Sequence, residues 1–175
     1  DAPGRDQPAA YGSGAFRALT QVKPALVLAL LEANLTVLYA DADVAFLRDP
    51  WPHLTSYQKC AVALQPNRHD EDDVLGAVVE LDRRPGNPRP GKRYYGDVGC
   101  SGLAYFPSGR AARRLAAFWE AAASAESCGG DQAALESALA RAAYADEDVD
   151  ARALPLALFP NGMALRTLHG APAPE

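Results

Sequence analysis

Cysteine, histidine and methionine are scarce in these 175 residues, at three, three and one. Cys60, Cys100 and Cys128 lie too far apart for a paired-cysteine metal site and are too few for a disulfide framework. One pair could bridge and leave the third free, or all three could stay thiols, so the redox compartment is left open. Long apolar runs are missing as well. No stretch reaches the roughly 18 apolar residues of a membrane span, and the N-terminus lacks the basic-then-apolar layout of a secretion signal. Nor is there a surplus of basic charge. The formal net charge of −5 argues against a nucleic-acid binder, which needs a positive face. No internal repeat is visible.

What remains has the composition of an ordinary globular domain, 49% hydrophobic and 22% charged. Its length is that of about one domain, enough to bury a real core. The chain opens on Asp1 and ends in a Pro/Ala-rich stretch, and so reads as a fragment or mature piece. Charge is clustered. His69-Asp70-Glu71-Asp72-Asp73 and Asp146-Glu147-Asp148 are acidic, and Arg83, Arg84, Arg89, Lys92 and Arg93 form a basic loop. Such runs are expected to be solvated.

Residues 1–12 read as a flexible segment, residues 13–170 as the domain, and residues 171–175 as a tail. Phe16, Leu19, Val22, Leu26 and Leu30 recur at spacings of three and four, predicting helix from Gly14 to Ala33. Pro24 is expected to open a second helix, since proline suits a first helical turn. Leu35 to Ala40 is short, apolar and rich in β-formers, as in a strand buried at the centre of a parallel sheet. Further strands are expected at Cys60–Leu64 and Ser101–Phe106. Between them, residues 66–96 form a polar, Pro/Gly-laden insertion whose length suggests a functional or disordered loop. Ser108 is a candidate cap for a helix carrying Leu115, Phe118 and Trp119, and Asp131-Gln132 opens another helix reaching about Ala142. Alternating strands and helices give an α/β class.

The chemistry centres on Asp41-Ala42-Asp43, at the C-terminal end of the first strand, where α/β proteins bind ligands. If the strand runs on, both carboxylates share a face. If it turns, one carboxylate can face a ribose while the other meets a cation. Mg²⁺ or Mn²⁺ takes carboxylate, water and phosphate oxygens and needs only one or two protein carboxylates beside a substrate diphosphate. Turns favour Asp regardless of function, but two ionised carboxylates at the mouth of an apolar strand repel without a cation.

Around this motif, Lys23, Leu28 to Asn34, Val37 to Val44 and Leu47-Arg48-Asp49-Pro50 resemble the signature block of the nucleotide-diphospho-sugar transferases of glycosyltransferase family 77. Three further blocks match in order: Cys100 to Phe106, Asp131-Gln132, and Leu154-Pro155 with Phe159-Pro160 and Gly162. The resemblance covers about residues 14–165. It implies a GT-A (Rossmann-like) domain, here without its first β-α unit, that moves sugar from a nucleoside-diphosphate donor to a glycan or glycoprotein acceptor with retained configuration. It implies Mn²⁺ or Mg²⁺ at Asp41 and Asp43, with His169 as the available candidate for the histidine that completes such sites. Lys23, Asp41, Ser101 and Gly102 would meet substrate, Gly102 by allowing close backbone approach, while Lys23 could either contact donor phosphate or position the aspartates. Asp131 and Gln132 would act at the reacting sugars, although Asp131 also reads as a helix N-cap after Gly129-Gly130. The family setting implies a Golgi-lumen, type II membrane protein of a plant or alga, acting on cell-wall or glycoprotein glycans, with its anchor outside this chain.

The chain departs from the family at Cys100, where the pattern has Asn. Asn34-Leu35-Thr36 is an N-glycosylation sequon, with Leu35 expected to be buried. His53 and His69 read as surface residues. Two other readings compete. A haloacid-dehalogenase-like phosphatase also places an aspartate pair after an apolar strand, the first Asp being the nucleophile. It expects Thr or Val where Ala45 stands, and a second acidic pair on a strand, whereas Asp72-Asp73 lies in a loop-like run. An inactive or truncated domain would bind a sugar nucleotide or glycan without turnover.

Overall fold

The computed structural model describes residues 13–66, 79–80, 93–94, 99–125, 130–144 and 149–162. His69, His169, Cys128, both acidic runs, residues 1–12, the tail and nearly all of the 66–96 insertion lie outside them.

Ser13 starts α1 (Gly14–Glu32) by accepting the Phe16 N–H at 3.1 Å, the capping bond that a first helical turn needs. The helix runs straight through Pro24 rather than restarting there. Proline forfeits a backbone hydrogen bond and crowds the preceding turn. Here its ring is fully buried, and the Ala/Leu-rich flanks favour helix on both sides. The helix is also long and apolar enough to cross a membrane by length and composition, contrary to the expectation of no such stretch. In the fold it packs through Val27 and Leu31 and carries the buried Lys23. Its outer face leaves Leu19, Val22 and Leu26 exposed. Past Ala33, Asn34 turns left-handed at φ 61°. Its N–H bonds Leu31 O and the Leu35 N–H bonds Leu30 O, both at 3.0 Å, a Schellman closure of the helix.

The main sheet has order β1-β5-β2-β6. β1 is Val37–Ala40, β2 Val62–Pro66, β5 Gly99–Phe106 and β6 Ala151–Ala153. β5 runs antiparallel to β1 and β2, and β6 is parallel to β2. The sheet is therefore mixed, and β1 is an edge strand with only Val37 fully buried. Apolar composition alone did not separate a central parallel strand from an edge whose faces are half-covered by helices. Within the insertion, Val79–Glu80 (β3) pairs antiparallel with Arg93–Tyr94 (β4).

Alternation along the strands splits the core into two layers. Val62, Leu64, Ala104 and Phe106 face α1, α3 (Arg110–Ala123) and α4 (Asp131–Tyr144). Ala63, Leu103 and Tyr105 face Leu54 of α2 (Trp51–Leu54), Leu154 and Phe159. Trp119 fills the helical layer, stacked on Phe106 at 5.9 Å between centroids. α3 is capped by Gly109 without a side-chain bond, so Ser108 is not the cap; its N–H instead donates to Thr36 Oγ1. A register shift on the β2–β5 ladder, from Leu64 opposite Ala104 to Gln65 opposite Cys100, makes a bulge at residues 101–103. That bulge faces the first turn of α4.

Candidate functional site

The end of β1 meets the β5 bulge. The Asp41 N–H donates to Gly102 O at 2.7 Å, and the Val44 N–H closes a turn onto Asp41 O at 3.1 Å. The strand thus ends at Ala40, and Asp41 opens a turn instead of a strand running on to Asp43. Asp41 is half-buried and Asp43 exposed, so the two carboxylates are divided by a turn rather than aligned on one strand face.

Lys23 reaches into this corner from α1. Its ammonium has three donors, and the structure gives all three a partner. These are Asp41 Oδ1 at 2.9 Å, Asp131 Oδ2 at 2.5 Å and Ser101 O at 3.3 Å. Burial pulls the ammonium's pKa down, but the hydrogen bonds and charges of Asp131 and then Asp41 outweigh it, so the net direction is upward. Lys23 is therefore a buried, paired lysine that holds Asp41 and Asp131 in place. It supplies part of the positive charge that the carboxylates at the strand mouth require. Tyr39 adds a bond from its hydroxyl to Asp41 Oδ1 at 2.9 Å, and its ring lies 4.8 Å from the Lys23 ammonium. Burial raises the Tyr39 phenol pKa, and the bond to Asp41 adds to that, so the hydroxyl stays a donor at neutral pH.

Gly102 stands against the other side of Asp41. A Cβ built on it would lie 3.0 Å from Asp41 Oδ2 and 3.3 Å from Cys100 Sγ. The glycine makes room for the carboxylate. Cys100 is a free, half-buried thiol whose sulfur accepts the Gly102 N–H at 3.3 Å.

Asp131 opens α4, but its side chain does not cap the helix. It accepts the Ser101 hydroxyl at 2.7 Å and pairs with Lys23. Its carbonyl accepts the Trp119 indole N–H at 2.8 Å, and a carboxylate at a helix N-terminus is favoured by the helix dipole. Gln132 clamps the bulge. Its Oε1 accepts the Ser101 N–H at 2.7 Å and its Nε2 donates to Gly99 O at 2.8 Å and Glu136 Oε1 at 2.9 Å. It thereby pairs the main-chain groups that the bulge would otherwise leave without a ladder partner. Cys60, by contrast, is buried away from this corner, and desolvation with the nearby Asp150 charge pushes its thiol up to about 12. His53 is exposed, as expected.

The structure thus brings Lys23, Asp41, Ser101, Gly102, Asp131 and Gln132 together, leaves Asp43 at the rim, and lies silent on His169, which is outside the described residues. Tyr39, Trp119 and Glu136 are site residues that the sequence did not announce. The signal for Tyr39 was present: two residues before Asp41 on a strand is the same face.

A hard divalent cation fits these residues only in its sparse form. Asp41 keeps Oδ2 free of bonds from other described residues, and Asp43 lies two residues on in the same turn. Among the described residues no group of three or more His, Cys, Asp or Glu gathers to enclose an ion. Two carboxylates with phosphate and water oxygens completing the shell is how Mg²⁺-like ions are usually held beside a diphosphate.

A region of 72 residues, 41% of the chain, is 36% identical to a UDP-galactose:fucoside alpha-3-galactosyltransferase from Dictyostelium discoideum. That match spans about a tenth of the length of this curated relative (10%). No solved structure matches the chain. The family model for nucleotide-diphospho-sugar transferases matches residues 1–171, and the α/β architecture agrees with it. The protein belongs to the nucleotide-diphospho-sugar transferase family.

Proposed function

We propose that the chain carries the donor site of a metal-dependent, retaining glycosyltransferase that moves a sugar from a nucleoside diphosphate to a glycan or glycoprotein acceptor. The observation that carries this reading is the convergence of Asp41, Lys23 and Asp131 beside the Gly102 bulge, at the end of a strand that turns directly into Asp43.

Asp41 and Asp43 would hold Mn²⁺ or Mg²⁺ together with the donor phosphates. When bound, the cation supplies Lewis-acid stabilisation of the charge that grows on the departing diphosphate. The chain's own groups do the positioning. Lys23 and Tyr39 fix Asp41 Oδ1 and leave Oδ2 directed away from them. Asp131 is held by Lys23 and Ser101 at the start of α4, from where it would orient sugar hydroxyls. Gln132 is committed on both ends of its amide, so its part is to set the bulge rather than to touch the sugar. Among the described residues, the Asp41 and Asp131 carboxylates are both held by Lys23, and neither is assigned as a covalent nucleophile. Retention then follows from attack on the face the leaving group departs from, with a phosphate oxygen taking the acceptor proton. In this reading the whole protein works in the Golgi lumen, and a UDP-hexose such as UDP-galactose, the donor in the relative's name, is the first to test.

The test is sugar transfer or donor hydrolysis by the full-length protein with Mn²⁺ across a panel of nucleotide sugars. Removing a metal ligand forfeits several kcal/mol of charge stabilisation, so Asp43→Ala should lower turnover on the order of 100-fold or more. Transfer that Asp43→Ala leaves untouched would sink the proposal. Phosphate release from simple phosphomonoesters would favour the phosphatase alternative instead.

A further inference from the structure

We infer that Asn34 is an N-glycosylation site, accepting an oligosaccharide on its side-chain nitrogen. Asn34-Leu35-Thr36 carries the acceptor triplet, and here the fold presents it. All three residues are exposed in the connection between α1 and β1, and Leu35, expected to be buried, keeps 51% of its surface. The two bonds that close the helix at this point run through the main chain. The Asn34 side chain is thereby left outside the turn, and no described residue hydrogen-bonds its amide. Glycine serves this left-handed position best and asparagine only second, so the turn alone does not call for the amide.

The location also suits a bulky substituent. Asn34 precedes β1 and Asp41 follows it, so the strand alone places roughly 13 Å between them. A glycan there stands at the far end of the strand from the carboxylates. The donor is a lipid-diphosphate-linked oligosaccharide of the secretory membrane. The Asn34 Nδ2–C1 bond forms, the C1–O bond to phosphate breaks, the lipid diphosphate leaves with the electron pair, and the amide releases one proton. In the finished fold Thr36 Oγ1 accepts the Ser108 N–H at 3.0 Å, so transfer belongs to the stage before β1 docks.

The inference rests on the lumenal reading above, and the experiment separates the two. The chain is expressed in eukaryotic cells behind a cleavable secretion signal, and secreted and retained pools are both examined. Peptide N-glycosidase should increase gel mobility and convert Asn34 to Asp in the tryptic peptide. Asn34→Gln and Thr36→Ala should abolish the shift, Thr36→Ser should keep it, and Asn34→Gln should leave nucleotide-sugar binding unchanged. An unmodified Asn34 in both pools overturns the site. Modification here, with a bare Asn34 in the native full-length protein, overturns the lumenal reading and leaves the acceptor site standing.

Discussion

Lys23 is the residue on which the site turns. It is 8% exposed and joins two carboxylates that are 90 positions apart in the chain, at 41 and 131. The sequence marked the lysine only through a family block, because an ion pair of this kind is a tertiary fact that no local spacing encodes. Removing one partner of a buried pair is costly, since the other charge stays behind. Lys23→Met should therefore cost about 3–5 kcal/mol, read as a fall in the denaturant midpoint at unchanged slope. The pH dependence follows from the raised ammonium pKa. Lys23 stabilises the fold fully below its ordinary value of 10.5, and that contribution is lost as pH climbs through the higher folded value. Unfolding followed across the alkaline range should show this loss in the wild type and not in Lys23→Met. Gly102→Ala probes the neighbouring contact. The added methyl lies 3.0 Å from Asp41 Oδ2 and 3.3 Å from Cys100 Sγ, so the carboxylate must shift and nucleotide-dependent Mn²⁺ binding should weaken.

At the scale of elements, the strand–turn–helix order was readable from periodicity, and α1, β2, β5 and α4 fall close to where hydrophobic spacing puts them. Strand pairing was not readable. Leu35 to Ala40 carries a buried-strand composition, yet β1 sits at the sheet edge antiparallel to β5, because its apolar side chains are satisfied by helix and loop packing. The β5 bulge is equally hidden in the sequence, although the residue that holds it, Gln132, stands in the Asp131-Gln132 block of the family resemblance; its amide bonds main chain. Gln132→Glu would place a carboxylate oxygen against Gly99 O and Glu136. The variant should lose about 1–3 kcal/mol, the cost of leaving buried partners unpaired, and hydrogen exchange at Ser101 should accelerate.

For the whole molecule, the corner where α1, β1, β5 and α4 meet is both a structural junction and the proposed donor site. A ligand bound there should therefore stabilise the entire domain. At 100 times its Kd, a Mn²⁺–nucleotide pair adds about 2.7 kcal/mol, and for a chain of this size Tm should rise by roughly 5–10 °C. A calorimetric scan with metal alone, nucleotide alone and both together checks it, with the largest rise expected for the pair. The link between Trp119 and Asp131 has an optical consequence. The chain has two tryptophans: Trp51 is half-exposed against Tyr105, and Trp119 is sealed in the core with its indole N–H on the Asp131 carbonyl. With Trp51 replaced by Phe, the remaining emission comes from a single chromophore one hydrogen bond from the site. Movement of the α4 N-terminus as a donor settles would then be recorded as a change in fluorescence, with no label attached.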